Sequence, residues 1–228
     1  MNRFDDSYIT TFTGKKFWPL NPCADHICLE DIAWALSMKC RFNGHTRFFY
    51  SVAEHSCRVF DEAVREAEGF YRPDITDFPN APRAKTLGTG LRLYEGFALL
   101  FHDAAEAYIP DFSRPIKWAA AFRHEDHGYA PARMIEHDIE REVWTHFGFA
   151  HWNVHEQCQP LVNKYDNLLC VTEARDLTTN GVREWGPEWP APMPTKIKPW
   201  SQEQAFAEFV SRALLLIPAE RTKHGEQV

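Results

Sequence analysis

The six cysteines of this 228-residue chain (Cys23, Cys28, Cys40, Cys57, Cys158 and Cys170) contain no C-x-x-C pair, which removes the usual spacing of a thiolate zinc site. Their scatter suits no disulfide framework either, and a reducing compartment is expected. Cys57 and Cys170 fall in apolar helical patterns and read as small buried hydrophobes. No stretch approaches the ~20 apolar residues that span a bilayer. Met1 to Thr13 has no basic start leading into an apolar core, so no signal peptide is expected. These absences predict a cytoplasmic protein with no membrane partner. Positive charge is scarce as well: 25 Lys and Arg against 32 Asp and Glu leave a net charge of -7, the wrong field for coating a nucleic-acid polymer. Small phosphate ligands remain open, because they need only a local cluster of cations. There is no internal repeat and no low-complexity tract.

What is present predicts helices. The length suits one good-sized core, and the aromatic content places the chain among globular rather than disordered sequences. Residues 1–28 read as irregular, with turns around Pro19 and Pro22. Residues 29–217 read as one domain, and 218–228 as a flexible tail. Leu29–Met38 carries an apolar face through Ile32, Ala35 and Leu36. Arg41-Phe42-Asn43-Gly44-His45-Thr46-Arg47 follows as a turn bearing two guanidiniums and an imidazole, with a solvated loop as its plain alternative. Ser51 and Glu54 form a capping-box pattern opening a helix with His55, Val59, Phe60 and Val64 that fades by Gly69.

Residues 70–92, with three prolines and two glycines, read as a long surface excursion. Helical periodicity resumes over Leu93–Tyr108. Pro131 suits the first turn of a helix through Phe147, closed by Gly148, with Met134, Ile135, Ile139, Val143 and Trp144 as its core stripe. A further helix is expected from about Val154 to Leu177, with Pro160 as a kink or its true start. The Trp- and Pro-rich residues 181–200 read as an ordered surface loop. Ser201-x-x-Gln204 caps a last helix through Ile217. The fold class is therefore all-α, a helical bundle around one core.

The chemistry centres on Leu99-Leu100-Phe101-His102-Asp103-Ala104-Ala105-Glu106. On a continuous helix His102 and Glu106 stand at i and i+4 and Asp103 and Glu106 at i and i+3, so all three could reach one pocket. Asp166 lies in an apolar stripe, where a carboxylate needs a cation or donor; Arg175 and a metal are both available partners. His55, His102, Asp103 and Asp166 supply two imidazoles and two carboxylates. That set suits one octahedral divalent ion, with Mn, Co, Ni, Fe or Zn all plausible. Such an ion polarises a phosphoryl oxygen and acidifies a bound water. Glu106 and Asp111 could then orient or deprotonate the water and protonate the leaving oxygen. Arg41, Arg47, Arg114 and Lys117 supply cations for phosphate. His151 and His155 stand at i and i+4 but lack the intervening Glu of a zincin helix, and His124 and His127, similar in spacing, lie in a polar segment; solvated or capping roles are expected for both pairs.

The combination resembles HD-domain phosphohydrolases, in particular the single-domain group similar to bacterial 5′-deoxynucleotidases and phage dATP triphosphohydrolases. The matching segments are Arg41…Tyr50-Ser51-Val52-Ala53-Glu54-His55-Ser56, Phe101-His102-Asp103-Ala104-Ala105-Glu106-Ala107-Tyr108-Ile109-Pro110-Asp111, Pro115-Ile116-Lys117, and Lys164-Tyr165-Asp166 with Glu173-Ala174-Arg175-Asp176. The resemblance implies an all-α HD-type fold and a homodimer or higher oligomer. It implies one divalent metal held by His55, His102, Asp103 and Asp166, with Glu106 and Asp111 as acid–base carboxylates. Arg41, His45, Arg114, Lys117 and Lys164 would bind substrate. The implied activity is release of phosphate from a small nucleotide, a deoxynucleoside mono- or triphosphate; a non-catalytic nucleotide sensor on the same scaffold is the alternative. The 70–92 excursion and the 181–200 segment depart from compact members of that group.

Overall fold

A computed structural model of the chain describes residues 7–67, 91–110, 121–124, 128–149, 152–181 and 185–218. Six α-helices dominate it: α1 (Leu29–Met38), α2 (Val52–Ala67), α3 (Leu93–Phe101), α4 (Ala132–His146), α5 (Trp152–Leu177) and α6 (Gln202–Leu216). α3 is the innermost. Its residues Gly96 to Phe101 are all buried, as expected of a helix that is apolar on every side. α2, α5 and α6 pack against α3, while α1 lies across α2 and α6. Phe97 joins the layers by stacking on Phe101 at 4.3 Å between ring centroids and on Phe149 at 4.4 Å. All of these helices contribute to one apolar core.

The helix ends follow local chemistry. The Ser51 hydroxyl accepts the Glu54 N–H at 3.0 Å, and the Ser201 hydroxyl accepts that of Gln204 at 3.2 Å. Only half of the expected capping box forms at α2, because the Glu54 carboxylate turns to Arg58 and the Trp200 N–H instead. Gly148, at φ 86°, follows α4 in the left-handed conformation that glycine adopts most easily.

Several expectations need correction. Residues 1–28 are not wholly irregular: β1 (Ile9–Thr10) pairs antiparallel with β2 (Lys16–Phe17), and Asp31 of α1 accepts both the Thr13 N–H and its hydroxyl. Between α3 and α4, β3 (Ala121–His124) pairs with β4 (Gly128–Pro131), so Pro131 ends a strand and the helix begins one residue later. Pro160 is not the start of α5, which runs through it from Trp152 to Leu177. Met134 is half-exposed rather than core, and Cys170 is only partly buried; all six cysteines are free thiols. Residues 68–90 and 219–228, most of the expected excursion and tail, lie outside the described residues.

The largest correction concerns the helix carrying the His-Asp pair. α3 stops at Phe101, His102 and Asp103 form a turn, and a 3-10 segment follows over Ala104–Ala107. Asp103 leaves the helical region at φ −104°, ψ 16°. The Lys39 ammonium donates to the carbonyls of Glu106 and Ile109, satisfying the end of this segment from outside. The i, i+4 relation of His102 to Glu106 therefore does not hold.

The 185–200 segment is anchored as an ordered loop. Arg175 donates to the carbonyls of Met193 and Thr195, and Asp176 accepts the Ile197 N–H at 2.9 Å. The Trp200 ring faces the guanidiniums of Arg58 and Arg212. Among the described residues, no helix is long and apolar enough to cross a membrane.

Candidate metal centre

Three separate pieces of chain deliver the site. His55 sits in the first turn of α2, held by the Ser51 cap. His102 and Asp103 sit in the turn after α3, and Asp166 lies midway along α5. His55 Nε2 and His102 Nε2 approach to 3.2 Å. Asp103 Oδ2 lies 3.3 Å from His102 Nε2 and 3.9 Å from His55 Nε2, and Asp166 Oδ1 lies 3.2 Å from His55 Nε2. The group His55, His102 and Asp103, with ligand atoms all within 4.8 Å of one another, could hold a metal ion. The chain brings Asp166 to the same place, some 60 residues further on in sequence. Arg175, its alternative partner, pairs instead with Asp176 at 2.7 Å.

The far side of each ring has its own acceptor. His102 Nδ1 meets the Leu99 carbonyl at 2.9 Å, and His55 Nδ1 meets Glu173 Oε1 at 2.6 Å. Both Nε2 atoms are thereby directed at the carboxylates, the arrangement a cation needs. Glu173 also accepts the Tyr50 hydroxyl at 2.8 Å. Arg41 fills the remaining side, with guanidinium nitrogens 3.3 Å from Asp103 Oδ2, 3.8 Å from Asp166 Oδ1 and 3.5 Å from Glu173 Oε2.

Arg41 reaches this position from a strained turn. Phe42 and Asn43 have φ of 55° and 51°, and Gly44 follows at 80°. Left-handed backbone at non-glycine residues costs about 1–3 kcal/mol each and persists only where the surroundings impose it. Here the Arg41 N–H donates to the Tyr50 carbonyl, the His45 N–H closes on the Phe42 carbonyl, and Cys40 bridges to Ser51. Neither Tyr50 nor Glu173 was assigned a part in the site from sequence. The signals were that both lie in the segments carrying the resemblance and that Glu173 lies two turns beyond Asp166 on the same side of α5.

Charge balance follows the geometry. Burial opposes ionisation of Asp103 and Asp166, yet the neighbouring imidazoles and Arg41 hold both below the usual carboxylate range. Burial would depress His102, but Asp103 and Asp166 outweigh it and push His102 up to about 9. A metal ligand must be the neutral imidazole, so binding displaces that proton. Metal affinity is therefore expected to rise from pH 7 to about 9, as His102 and His55, which is raised as well, give up their protons, and then to level off. Titration with Co2+ at fixed ionic strength checks this; an affinity independent of pH across that range would contradict it.

The remaining sequence-predicted residues occupy varied settings. Glu106 is buried in the 3-10 segment. His45 is exposed beyond the Arg41 turn, and Arg47 is spent on the carbonyl of Asp176. Lys164 is not in the site: its ammonium pairs with Glu66 at 2.5 Å, three turns along α2 from His55 and about 16 Å away. It precedes Asp166 by two positions, and residues two apart on a helix face apart. His155 pairs with Glu140 at 3.3 Å and packs edge-on to Trp144. Asp111, Arg114, Lys117, His127 and His151 lie outside the described residues.

No family model matches this chain. It is similar to the uncharacterized protein YfdR of Escherichia coli, 33% identical over 111 residues that make up 49% of this chain and 47% of the relative. It is also similar to an uncharacterized protein of Rhodobacter capsulatus, 33% identical over 109 residues, 47% of this chain and 45% of that protein. The chain spans about half the length of the curated relatives it matches, and neither name states an activity.

Proposed function

We propose that the protein is a metal-dependent phosphohydrolase of the HD type that releases phosphate from a deoxynucleoside mono- or triphosphate. The observation that supports this most is the 3.2 Å approach of two buried imidazole Nε2 atoms, with two carboxylates turned to the same point. His55, His102, Asp103 and Asp166 would hold one divalent ion, and Mn, Co, Ni, Fe and Zn all match this imidazole–carboxylate set. Bound there, the ion supplies Lewis acidity toward a phosphoryl oxygen and toward water.

The remaining steps belong to the chain's own groups. Arg41 presents a planar fork of donors suited to phosphate oxygens. His45, Arg114 and Lys117 are proposed to complete the substrate contacts, and Lys164 is not, because Glu66 engages it. Glu106 is the proposed acceptor of the proton from the attacking water, and Asp111 the proposed donor to the leaving oxygen. The choice of a deoxynucleotide rests on the sequence resemblance.

The test is a panel of the four deoxynucleoside mono-, di- and triphosphates with Mn2+ or Co2+ added, assayed for released phosphate, pyrophosphate and triphosphate. Turnover of one phosphorylation state is the expected result. Tight nucleotide binding without turnover would favour the sensor reading. Glu106→Ala is expected to keep its metal and lose about a hundredfold or more in kcat; unchanged turnover removes Glu106 from the mechanism.

A further inference from the structure

The two histidines of the cluster are oriented by different means. His102 Nδ1 donates to Leu99, a carbonyl three residues earlier that any folded α3 supplies. His55 Nδ1 instead depends on a carboxylate 118 residues further along the chain, at 2.6 Å, and neither side chain has solvent exposure. An ionised carboxylate can only accept, so the Nδ1 proton is held there and Nε2 is the atom left for a ligand.

We propose that Glu173 is the positioning residue of this centre: it locks the His55 tautomer for metal binding and ties Arg41 to the same anchor. This rests on the metal-centre reading above. Burying a carboxylate so completely costs several kcal/mol unless its partners repay it, and an apolar side chain would fill the same wall of α5 at no such cost. The partners of Glu173 are all at the site: His55, Arg41 and the Tyr50 hydroxyl at 2.8 Å. Tyr50 also accepts the Arg41 N–H through its carbonyl, so one buried carboxylate braces both the imidazole and the strained turn that presents the guanidinium. Asp166 and Glu173 stand seven residues apart on one face of α5. The helix thereby sends one carboxylate to the cluster and another behind it.

The experiment is Co2+ titration of the full chain by visible absorption, with proton NMR of the Co2+-loaded protein in water. The wild-type chain is expected to show a hyperfine-shifted His55 Nδ1 proton protected from exchange by its bond to Glu173. Glu173→Gln is expected to weaken Co2+ binding by about 10–100-fold with unchanged helical circular dichroism. Glu173→Leu, which removes the acceptor, is expected to lose the protected resonance. Tyr50→Phe removes only the phenol donor and is expected to weaken Co2+ binding about threefold, which keeps the test open should the Glu173 variants misfold. Undiminished affinity in Glu173→Gln and Tyr50→Phe, or a persistent resonance in Glu173→Leu, overturns the assignment. A wild-type chain that takes up no Co2+ overturns the metal-centre reading itself, and this role falls with it.

Discussion

Asp103→Asn is expected to leave a folded protein that no longer retains metal, its affinity lowered at least about a hundredfold, equivalent to about 2.8 kcal/mol. The Asp103 Oδ2 atom is central to the cluster: it lies 3.3 Å from His102, 3.9 Å from His55 and 3.3 Å from Arg41. Replacing it with an amide of the same shape removes the charge while preserving the turn after α3. The fold should survive, because Arg41 keeps Asp166 and Glu173 as partners. The proposed phosphate release should disappear with the metal. Metal content of the purified variant by atomic emission, beside its circular dichroism, decides the matter. A variant that still carries about one ion per chain removes Asp103 from the ligand set.

Glu54→Ala is expected to cost about 3 kcal/mol of stability, and for a chain of this size to lower the unfolding midpoint by roughly 10 °C. The Glu54 carboxylate is fully buried. It accepts the Arg58 guanidinium at 2.7 and 2.9 Å and the Trp200 N–H at 2.8 Å. Truncation strands a backbone donor and a partly buried cation together, the costly way to break such a pair. It also releases the Arg58–Trp200 contact that anchors the 185–200 loop to α2. Arg65→Ala is the control, because the Arg65–Glu62 pair lies on the same helix with Arg65 69% exposed. It should leave the midpoint unchanged, as exposed pairs generally do. Equal effects of the two substitutions in thermal unfolding would show that burial does not set the value of these pairs.

The all-α architecture was readable from apolar spacing. Leu29–Met38 forms over the span expected, and the last helix ends within a residue of expectation. Periodicity reports the face a helix buries, and in this bundle nearly every helix buries one. Where the chain departed from expectation, a distant group intervened. Glu54 was read as a local cap but serves Trp200, 146 residues on. The helix through His102 was read as continuous, yet it breaks beside Asp103, and Lys39 reaches across to cap the segment that follows. Lys164 was read as a substrate contact alongside the family resemblance, and it points to Glu66 instead.

Sequence by itself determined the helical class, the main helix spans and the residue types capable of metal and phosphate chemistry, because these depend on spacing and donor identity alone. Tertiary structure decided that His55, His102 and Asp103 form one group, that Asp166 Oδ1 lies against His55, that Arg41 meets both carboxylates and that Glu173 bonds the far side of the His55 ring. Contacts between α2, α3 and α5 arise from how helices pack, and no local pattern along any one of them records which side chain meets which.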